Sequence, residues 1–314
     1  MPSNKKQFIF FCGKGGVGKT TCAVSTSIKL SQSGYKTLLF STDPAHSIAD
    51  SLEQRLTDKV SAVNNVPNMY ALEIDASKEL KSFVIMYEKE LTDFFKTVTN
   101  LDNEDVNDLL LLTLPGIDEL MAIKKIIDFT EQENDFTYFV CDTAPTGHAL
   151  RLISIPDIAN EWIKVMASLQ WKYKCVISTF SGNTVKDNDL LLILKKIISR
   201  VKSILKNKEQ TVFNIVTIPE AMAVQETKRL ISSLNKMGLT IHNLIVNNII
   251  PANNTCIFCS NRRKSQNVYL QELNKSFQNI NIISKLLEDR EIRGIESLAN
   301  FSHNLALTGV SIND

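Results

Sequence analysis

The sequence predicts an α/β fold, in which a mostly parallel β-sheet is flanked by helices and a helical subdomain is inserted at the edge of the sheet. Three observations predict this fold. The apolar run Phe8-Ile9-Phe10-Phe11-Cys12 leads into a glycine-rich loop and then into a helix-like segment from Thr21 to Ser33. Apolar strand-like runs alternate with helical periodicity along much of the chain. Between two of these runs, amphipathic helical stretches follow one another without strands of their own.

The glycine-rich loop, Gly13-Lys14-Gly15-Gly16-Val17-Gly18-Lys19-Thr20, fits the template of a phosphate-binding loop (P-loop) between a strand and a helix. Its glycines let the backbone curl so that successive N–H groups point inward, and the following helix adds the positive end of its dipole. Lys19 would neutralise the terminal phosphates, and the Thr20 hydroxyl would ligate magnesium. Lys14 belongs to the deviant Walker A form of the loop, although a lysine there is also compatible with an ordinary solvated charge. We therefore expect the nucleotide to be held by Gly13, Lys14, Gly15, Gly16, Val17, Gly18, Lys19, Thr20 and Thr21.

Length, charge and cysteine content limit the function classes. The 314 residues suffice for one large α/β domain, 1–314, or for a core domain with a substantial insertion. Lysines and arginines number 35 against 34 acidic residues, which argues against nucleic acid as a partner. The polar start and the lack of an apolar run of roughly 20 residues favour a cytoplasmic protein. Cys12 and Cys141 lie in apolar strand-like runs, so the six cysteines are not typical of a disulfide framework.

The remaining elements follow from periodicity and turn residues. Strands are predicted at Thr37 to Phe40, Met69 to Ile74, Phe136 to Cys141, Thr211 to Thr217 and Ile241 to Ile249. Helices are predicted from Ser47 to about Leu56, Leu80 to Val98, Asp118 to Phe129, Ile158 to Val176, Asp187 to Lys206 and Ala221 to Lys236, with a mobile loop at Ser178 to Asn188. The helical subdomain would comprise about 76–130 and 156–208.

Two aspartates at predicted strand ends are candidates for the hydrolytic chemistry. Asp142 follows a buried strand and suits a carboxylate linked to magnesium, and Asp43 follows another and suits activation of the attacking water. An aspartate at a strand end is often only a helix cap, but both occur here together with the glycine loop. His46 and His148 are left out of the catalytic set.

The pair Cys256-Ile257-Phe258-Cys259 is compatible with zinc binding, with redox cycling, or with neither. Structural zinc usually takes four ligands, and no second cysteine pair lies nearby. If the pair binds zinc, the remaining thiolates most simply come from a second copy of the chain, on a two-fold axis.

Taken together, these motifs resemble the arsenical-pump-type ATPases, and within them the single-domain branch that delivers tail-anchored membrane proteins to the endoplasmic reticulum. The resemblance covers Phe8 to about Ser302. It is carried by the P-loop, Cys256 with Cys259, and the segments Ser41-Thr42-Asp43-Pro44-Ala45-His46, Leu114-Pro115-Gly116-Ile117-Asp118-Glu119 and Asp142-Thr143-Ala144-Pro145-Thr146-Gly147-His148.

The resemblance implies specific roles. Lys14 would reach the nucleotide of a partner subunit, Asp43 would be the catalytic aspartate of the first switch loop, and Asp142 would belong to the second. Glu220 and Asn247 would lie at the nucleoside, and the loop Leu286 to Arg293, including Leu287, against the adenine. One departure is that the family's loop usually begins with proline and leucine, where this chain has Lys285-Leu286.

The expected protein is then a homodimeric ATPase that uses ATP and magnesium and shares zinc between two subunits. Its tail-anchored clients would lie in an apolar groove, and a receptor would hold it peripherally at the endoplasmic reticulum. Candidate walls of the groove are Leu80 to Val98, Ile117 to Ile127, Trp162 to Leu169 and Leu190 to Leu205. Two alternatives remain. One is an ATPase that drives an arsenite or antimonite pump, and the other is an ATP-independent holdase chaperone switched by cysteine oxidation.

Overall fold

The structure, a computed structural model, describes residues 6–41, 47–90, 92, 117–131, 135–143, 189–252, 255–303 and 305–310. Its strands are β1 (Gln7–Gly13), β2 (Thr37–Ser41), β3 (Ser61–Ala62), β4 (Met69–Glu73), β5 (Tyr138–Asp142), β6 (Thr211–Thr217), β7 (Ile241–Ile249) and β8 (Asn281–Leu286). Among these residues the helices are α1 (Lys19–Gln32), α2 (Ser47–Leu52), α3 (Ala76–Met86), α4 (Ile117–Glu131), α5 (Asp189–Lys206), α6 (Ala221–Lys236), α7 (Ile257–Ser276) and α8 (Gly294–Ser302).

The strands form one sheet in the order β3-β4-β2-β5-β1-β6-β7-β8. All pairs are parallel except β3 with β4. The chain therefore leaves β1 toward one edge and later returns to its other side with β6, which makes the carboxyl end of β1 a topological switch point, where ligands bind in such sheets. The predicted α/β fold with a mostly parallel sheet is confirmed.

The centre of the sheet is apolar because its strands are covered on both faces. Every residue of β1 is buried, and Phe8 and Phe10 stack on Phe139 and Phe213 of the neighbouring strands, with ring centroids 5.2 Å apart in each pair. Helix α1 packs between the sheet and α8 in the same buried cluster, to which Phe301 belongs. This packing fixes the start of α1 against the end of β1.

The chain divides into two compact units, 1–74 with 133–150 and 205–314, and 75–132 with 151–204. The first contains the sheet. In the second, α3 packs on α4, and Lys125 of α4 pairs with Glu79 of α3 at 2.6 Å. Among the described residues, no helix combines the length and the hydropathy that crossing a membrane would need.

Helix α5 carries the clearest amphipathic pattern of the described helices. Its buried side chains Leu194, Ile198, Val201 and Leu205 recur at helical spacing, whereas Leu192 is 55% exposed. The prediction of a helix from Asp187 to Lys206 therefore agrees with the structure to within two residues.

Several predicted boundaries are wrong. The predicted helix from Leu80 to Val98 begins earlier, at Ala76, where Asp75 caps it by accepting a hydrogen bond from the Lys78 N–H, and it breaks at Tyr87. Helix α2 ends at Leu52 instead of Leu56. Strand β3, helix α7, strand β8 and helix α8 were not predicted. The predicted helix Ile158 to Val176, the loop Ser178 to Asn188 and the segment Trp162 to Leu169 lie outside the described residues.

Candidate active site

The P-loop is compressed against the ends of β6 and β7. A Cβ atom on Gly13 would lie 2.2 Å from the Val216 carbonyl oxygen, and one on Gly18 would lie 2.4 Å from Asn247 Nδ2. Gly18 also has a φ of 96°, a left-handed conformation that favours glycine. The loop therefore depends on glycine at both positions. The N-terminus of α1 begins directly after it, which directs the helix dipole toward the loop.

Lys19 is the charged group inside this loop. Its side chain is only 7% exposed, and its Nζ donates a hydrogen bond to the Lys14 carbonyl oxygen at 3.2 Å. A lysine residue buried to this degree is costly unless anionic or strongly polar groups surround its charge. A phosphate group held by the loop would supply the countercharge, which suits Lys19 to its predicted role.

The Thr20 hydroxyl and the Asp142 carboxylate are brought together by strand pairing. Parallel pairing of β1 with β5 sets Phe11 beside Asp142, so both strands end at the same edge of the sheet. Thr20 Oγ1 donates to Asp142 Oδ2 at 2.6 Å, and Ser47 Oγ at the start of α2 donates to the same oxygen at 3.3 Å. Asp142 is 1% exposed. A hydroxyl and a carboxylate are oxygen ligands of the kind magnesium prefers, so this pair fits a magnesium ion.

Asn247 at the end of β7 contacts the same loop. Its Nδ2 donates to the Val17 carbonyl oxygen at 3.0 Å, and the residue is 4% exposed. Its Oδ1 is buried without a hydrogen-bond partner among the described residues. A buried acceptor beside the P-loop can take a donor from a bound nucleoside, so the nucleoside role predicted for Asn247 fits its surroundings.

Lys14 has a partner within its own chain. Its Nζ lies 3.2 Å from Glu226 Oε1 of α6, and both side chains are partly exposed. Sequence reasoning did not identify Glu226, because a pairing across so many residues leaves no local pattern. The predicted reach of Lys14 to a partner's nucleotide remains a prediction.

The remaining residues predicted to bind the nucleoside and the adenine contact different parts of the chain. Glu220 precedes α6 and pairs with Arg262 of α7 at 2.5 Å. Leu286 and Leu287 are exposed. Arg293 pairs with Glu53, near the end of α2. Their roles in binding adenosine stay predictions.

Lys285, the departure noted in the sequence, is the last but one residue of β8 and not part of a loop. Its buried Nζ donates to the Phe301 carbonyl oxygen at 2.9 Å and lies 4.0 Å from the centre of the Phe301 ring. Burial lowers the pKa of this amine. The residue therefore ties the end of β8 to the C-terminal turn of α8, where a cation is favourable.

Cys256 and Cys259 lie at the start of α7, where Cys256 is the N-cap residue and its Sγ accepts a hydrogen bond from the Cys259 N–H at 3.2 Å. Hydrogen bonding from the Cys259 thiol and N–H lowers the pKa of Cys256, and the same thiol pairing raises the pKa of Cys259. Between them, Ile257 is 80% and Phe258 75% exposed. Within the described residues no cluster of three or more His, Cys, Asp or Glu side chains could hold a metal, so one chain offers only this pair of thiols as zinc ligands there.

The other described cysteines are unsuited to nucleophilic chemistry. Cys12, Cys22 and Cys141 are completely buried. Burial raises the pKa of the Cys12 and Cys22 thiols to about 12 and that of Cys141 well above its usual range. Asp43, the predicted catalytic aspartate, lies outside the described residues, whereas Ser47, which follows it closely in sequence, is brought to Asp142.

Comparison with known proteins gives a consistent result along the whole chain. The family described as "Anion-transporting ATPase" matches residues 6–307. The chain is 34% identical over 310 residues to the "ATPase ASNA1 homolog" of Dictyostelium discoideum, with 96% of this chain and 90% of the relative covered. It is 35% identical over 318 residues to "ATPase GET3C" of Arabidopsis thaliana (94% and 81% covered) and 32% identical over 317 residues to "ATPase asna-1" of Caenorhabditis elegans (95% and 92%).

Proposed function

Because this chain belongs to the family of anion-transporting ATPases and is itself an ATPase, we propose that it works as a homodimer that binds the transmembrane segment of tail-anchored proteins and delivers them to the endoplasmic reticulum membrane. The observation that carries the proposal is the combination, on one chain, of the P-loop with its Thr20 and Asp142 pair and a partly exposed Cys256 and Cys259 pair. The family match, residues 6–307, spans both features, and relatives named ASNA1 and GET3 are similar to this chain over most of its length.

The hydrolytic step follows from the positions of the side chains. The P-loop N–H groups and Lys19 would hold the terminal phosphates of ATP, and Thr20 with Asp142 would hold magnesium, which supplies charge neutralisation when bound. Asn247 would take a donor from the nucleoside. We assign orientation and activation of the attacking water to Asp43. Lys14 would stabilise the negative charge that develops on the partner's nucleotide as ADP leaves the γ-phosphoryl group.

The thiol pair supports a dimer by ligand number. Two thiols at the start of α7 are half of the usual structural zinc set, and Ile257 and Phe258 expose apolar surface between them. A second copy related by a two-fold axis would supply the other two thiols and cover both apolar side chains at once. The lowered pKa of Cys256 favours the thiolate that zinc requires.

The client would be bound by the helices of 75–132 and 151–204. In this unit Ile85, Met86 and Leu192 are exposed apolar side chains on α3 and α5. A client segment of roughly 20 residues needs more apolar cover than one small helical unit offers, which favours a groove formed by two chains. We place the protein in the cytoplasm, with a receptor that holds it at the endoplasmic reticulum.

The test is capture of a purified protein that carries a C-terminal apolar segment of roughly 20 residues. We expect wild type and Asp43→Asn to capture it with ATP, whereas Lys19→Ala fails. The matched control client has an arginine in the middle of the segment and should not be captured. Capture that is equal in Lys19→Ala and improves after zinc removal would favour the holdase, and ATPase activity stimulated by antimonite without capture would favour a metalloid pump subunit.

A further inference from the structure

Arg293 lies at the end of the segment that the sequence assigns to the adenine, but its guanidinium group contacts α2. Its Nε donates to the Asp50 carbonyl oxygen at 3.1 Å and lies 3.3 Å from Glu53 Oε1. Asp50 is in the last turn of α2, and Glu53 directly follows the helix. The arginine therefore binds the C-terminal end of a short helix, where its free carbonyl oxygens and dipole favour a cation.

The backbone around this contact is adapted to it. Glu53 has a φ of 52°, a left-handed conformation that is unfavourable for a residue with a side chain. Its N–H donates to the same Asp50 oxygen at 3.3 Å. Next to Arg293, Gly294 has a φ of 76°, and a Cβ atom there would lie 3.3 Å from Glu53 Oε2. A strained residue and a close glycine thus meet where the two segments join.

The opposite end of α2 is bound to the candidate magnesium site. Ser47 Oγ donates to Asp142 Oδ2, which also accepts from Thr20. The Ala49 N–H donates to Glu73 Oε1 at 3.1 Å. Helix α2 has 6 residues and is only about 9 Å long, so a displacement of its C-terminal end is expected to displace Ser47 at its N-terminal end.

We propose that Arg293 is a positioning residue for ATP hydrolysis. By holding the C-terminal end of α2, it fixes Ser47 against Asp142 and so orients the carboxylate toward Thr20. It acts through α2 and not by contact with the base. The proposal rests on the phosphate site described above being the site of hydrolysis. It predicts that substitution of Arg293 changes kcat and leaves the KM for ATP nearly unchanged.

The experiment compares Arg293→Gln with Arg293→Lys, Glu53→Gln and the control Arg229→Gln. Arg229 is exposed on α6, lies outside the P-loop and the segment assigned to the adenine, and forms no ion pair among the described residues. We expect Arg293→Gln to lower kcat about threefold to tenfold, because one charge-assisted hydrogen bond is lost, and to raise the magnesium concentration needed for half-maximal rate. KM for ATP and the preference for ATP over GTP should stay within twofold.

The partner variants test whether the contact itself matters. Arg293→Lys should restore part of the rate. Glu53→Gln should lower kcat without adding to the effect of Arg293→Gln, because Arg293→Gln already removes the ion pair with Glu53. If Arg293→Gln does not fold, Glu53→Gln tests the contact from the other side.

Three results would overturn the proposal. These are a raised KM with unchanged kcat, a changed preference for ATP over GTP, or rates for Arg293→Gln and Glu53→Gln equal to that of Arg229→Gln. If the wild type hydrolyses no ATP, the proposed function fails as a whole; if only the Arg293 effects are missing, only this inference fails.

Discussion

Substitution of Gly18 by alanine tests how tightly the P-loop is packed. The alanine has to adopt a backbone φ of 96°, which lowers the free energy of unfolding by about 1–2 kcal/mol. Its added Cβ atom also lies 2.4 Å from Asn247 Nδ2, which is buried and donates a hydrogen bond to the Val17 carbonyl oxygen. Moving that amide breaks a buried hydrogen bond, which adds about 1–3 kcal/mol. We expect Gly18→Ala to lose about 2–5 kcal/mol in all, together with ATP binding.

Gly34→Ala is the matched control, because Gly34 has a φ of 89° and nothing lies within 4 Å of its added Cβ. It should lose only the conformational cost of about 1–2 kcal/mol and keep ATP binding. The double variant Gly18→Ala with Asn247→Ala removes the clashing amide, so it should be less destabilised than the sum of the two single variants by about 1–3 kcal/mol.

The assays are urea unfolding followed by circular dichroism and titration with a fluorescent ATP analogue. Equal losses of stability in Gly18→Ala and Gly34→Ala, with strictly additive behaviour in the double variant, would refute the reasoning that Asn247 closes on Gly18.

Three further predictions follow from the site, the thiols and the helical unit. Asp142→Asn should lower kcat about 10-fold to 100-fold and raise the magnesium concentration needed for half-maximal rate, because an amide has lost the charge and one of the two oxygens of the carboxylate that accepts from Thr20 and Ser47. A magnesium titration of the rate checks this, and an unchanged half-maximal concentration contradicts it. In zinc-free protein, iodoacetamide should modify Cys256 before Cys259, and the modification rate of Cys256 should begin to rise at a lower pH than that of an ordinary thiol, because a lowered pKa gives thiolate at lower pH. Peptide mass mapping across a pH series measures both rates, and modification of Cys259 first would contradict the prediction. The buried Cys12 and Cys22 should stay unmodified at neutral pH. Ile198 on α5 is 1% exposed, so Ile198→Ala should lower the free energy of unfolding by about 2–4 kcal/mol. Leu192→Ala on the same helix should change the free energy of unfolding by less than about 0.5 kcal/mol but should reduce client capture. A larger loss of stability in Leu192→Ala than in Ile198→Ala would contradict the burial pattern.

The core of the fold could be predicted because its strands and helices carry strong local signals. The bounds predicted for α6 and β7 are those observed, since both elements have clear periodicity and turn residues at their ends. The position of Asp142 at the ligand-binding edge followed from the rule that parallel strands end at one edge of the sheet, whereas its hydrogen bond with Thr20 was not predicted.

The C-terminal elements could not be predicted in the same way. Helix α7 buries only Gln266 and Leu273 along its 20 residues, so apolar periodicity is almost absent. Strand β8 contains the buried Lys285, and a charged residue at a buried position interrupts the apolar pattern by which a strand is predicted. Its charge is accommodated by the hydrogen bond to the Phe301 carbonyl oxygen of α8, a tertiary contact.

The contacts of Lys14 with Glu226 and of Arg293 with Glu53 are also beyond sequence reasoning. Each joins residues far apart in the chain, and each carboxylate lies in a segment where an acidic residue is ordinarily a solvated charge. The motifs identified Lys14 and Arg293 as site residues, but only the folded chain identifies the groups that hold them.

The central claim is that one chain carries half of a shared assembly. Native mass spectrometry of the protein during ATP turnover tests it most directly, because one spectrum gives the number of chains and of bound metal ions. The account predicts a two-chain particle that holds one zinc ion, and loss of that ion in a Cys256→Ser variant. A single chain without zinc that hydrolyses ATP at the full wild-type rate would contradict it.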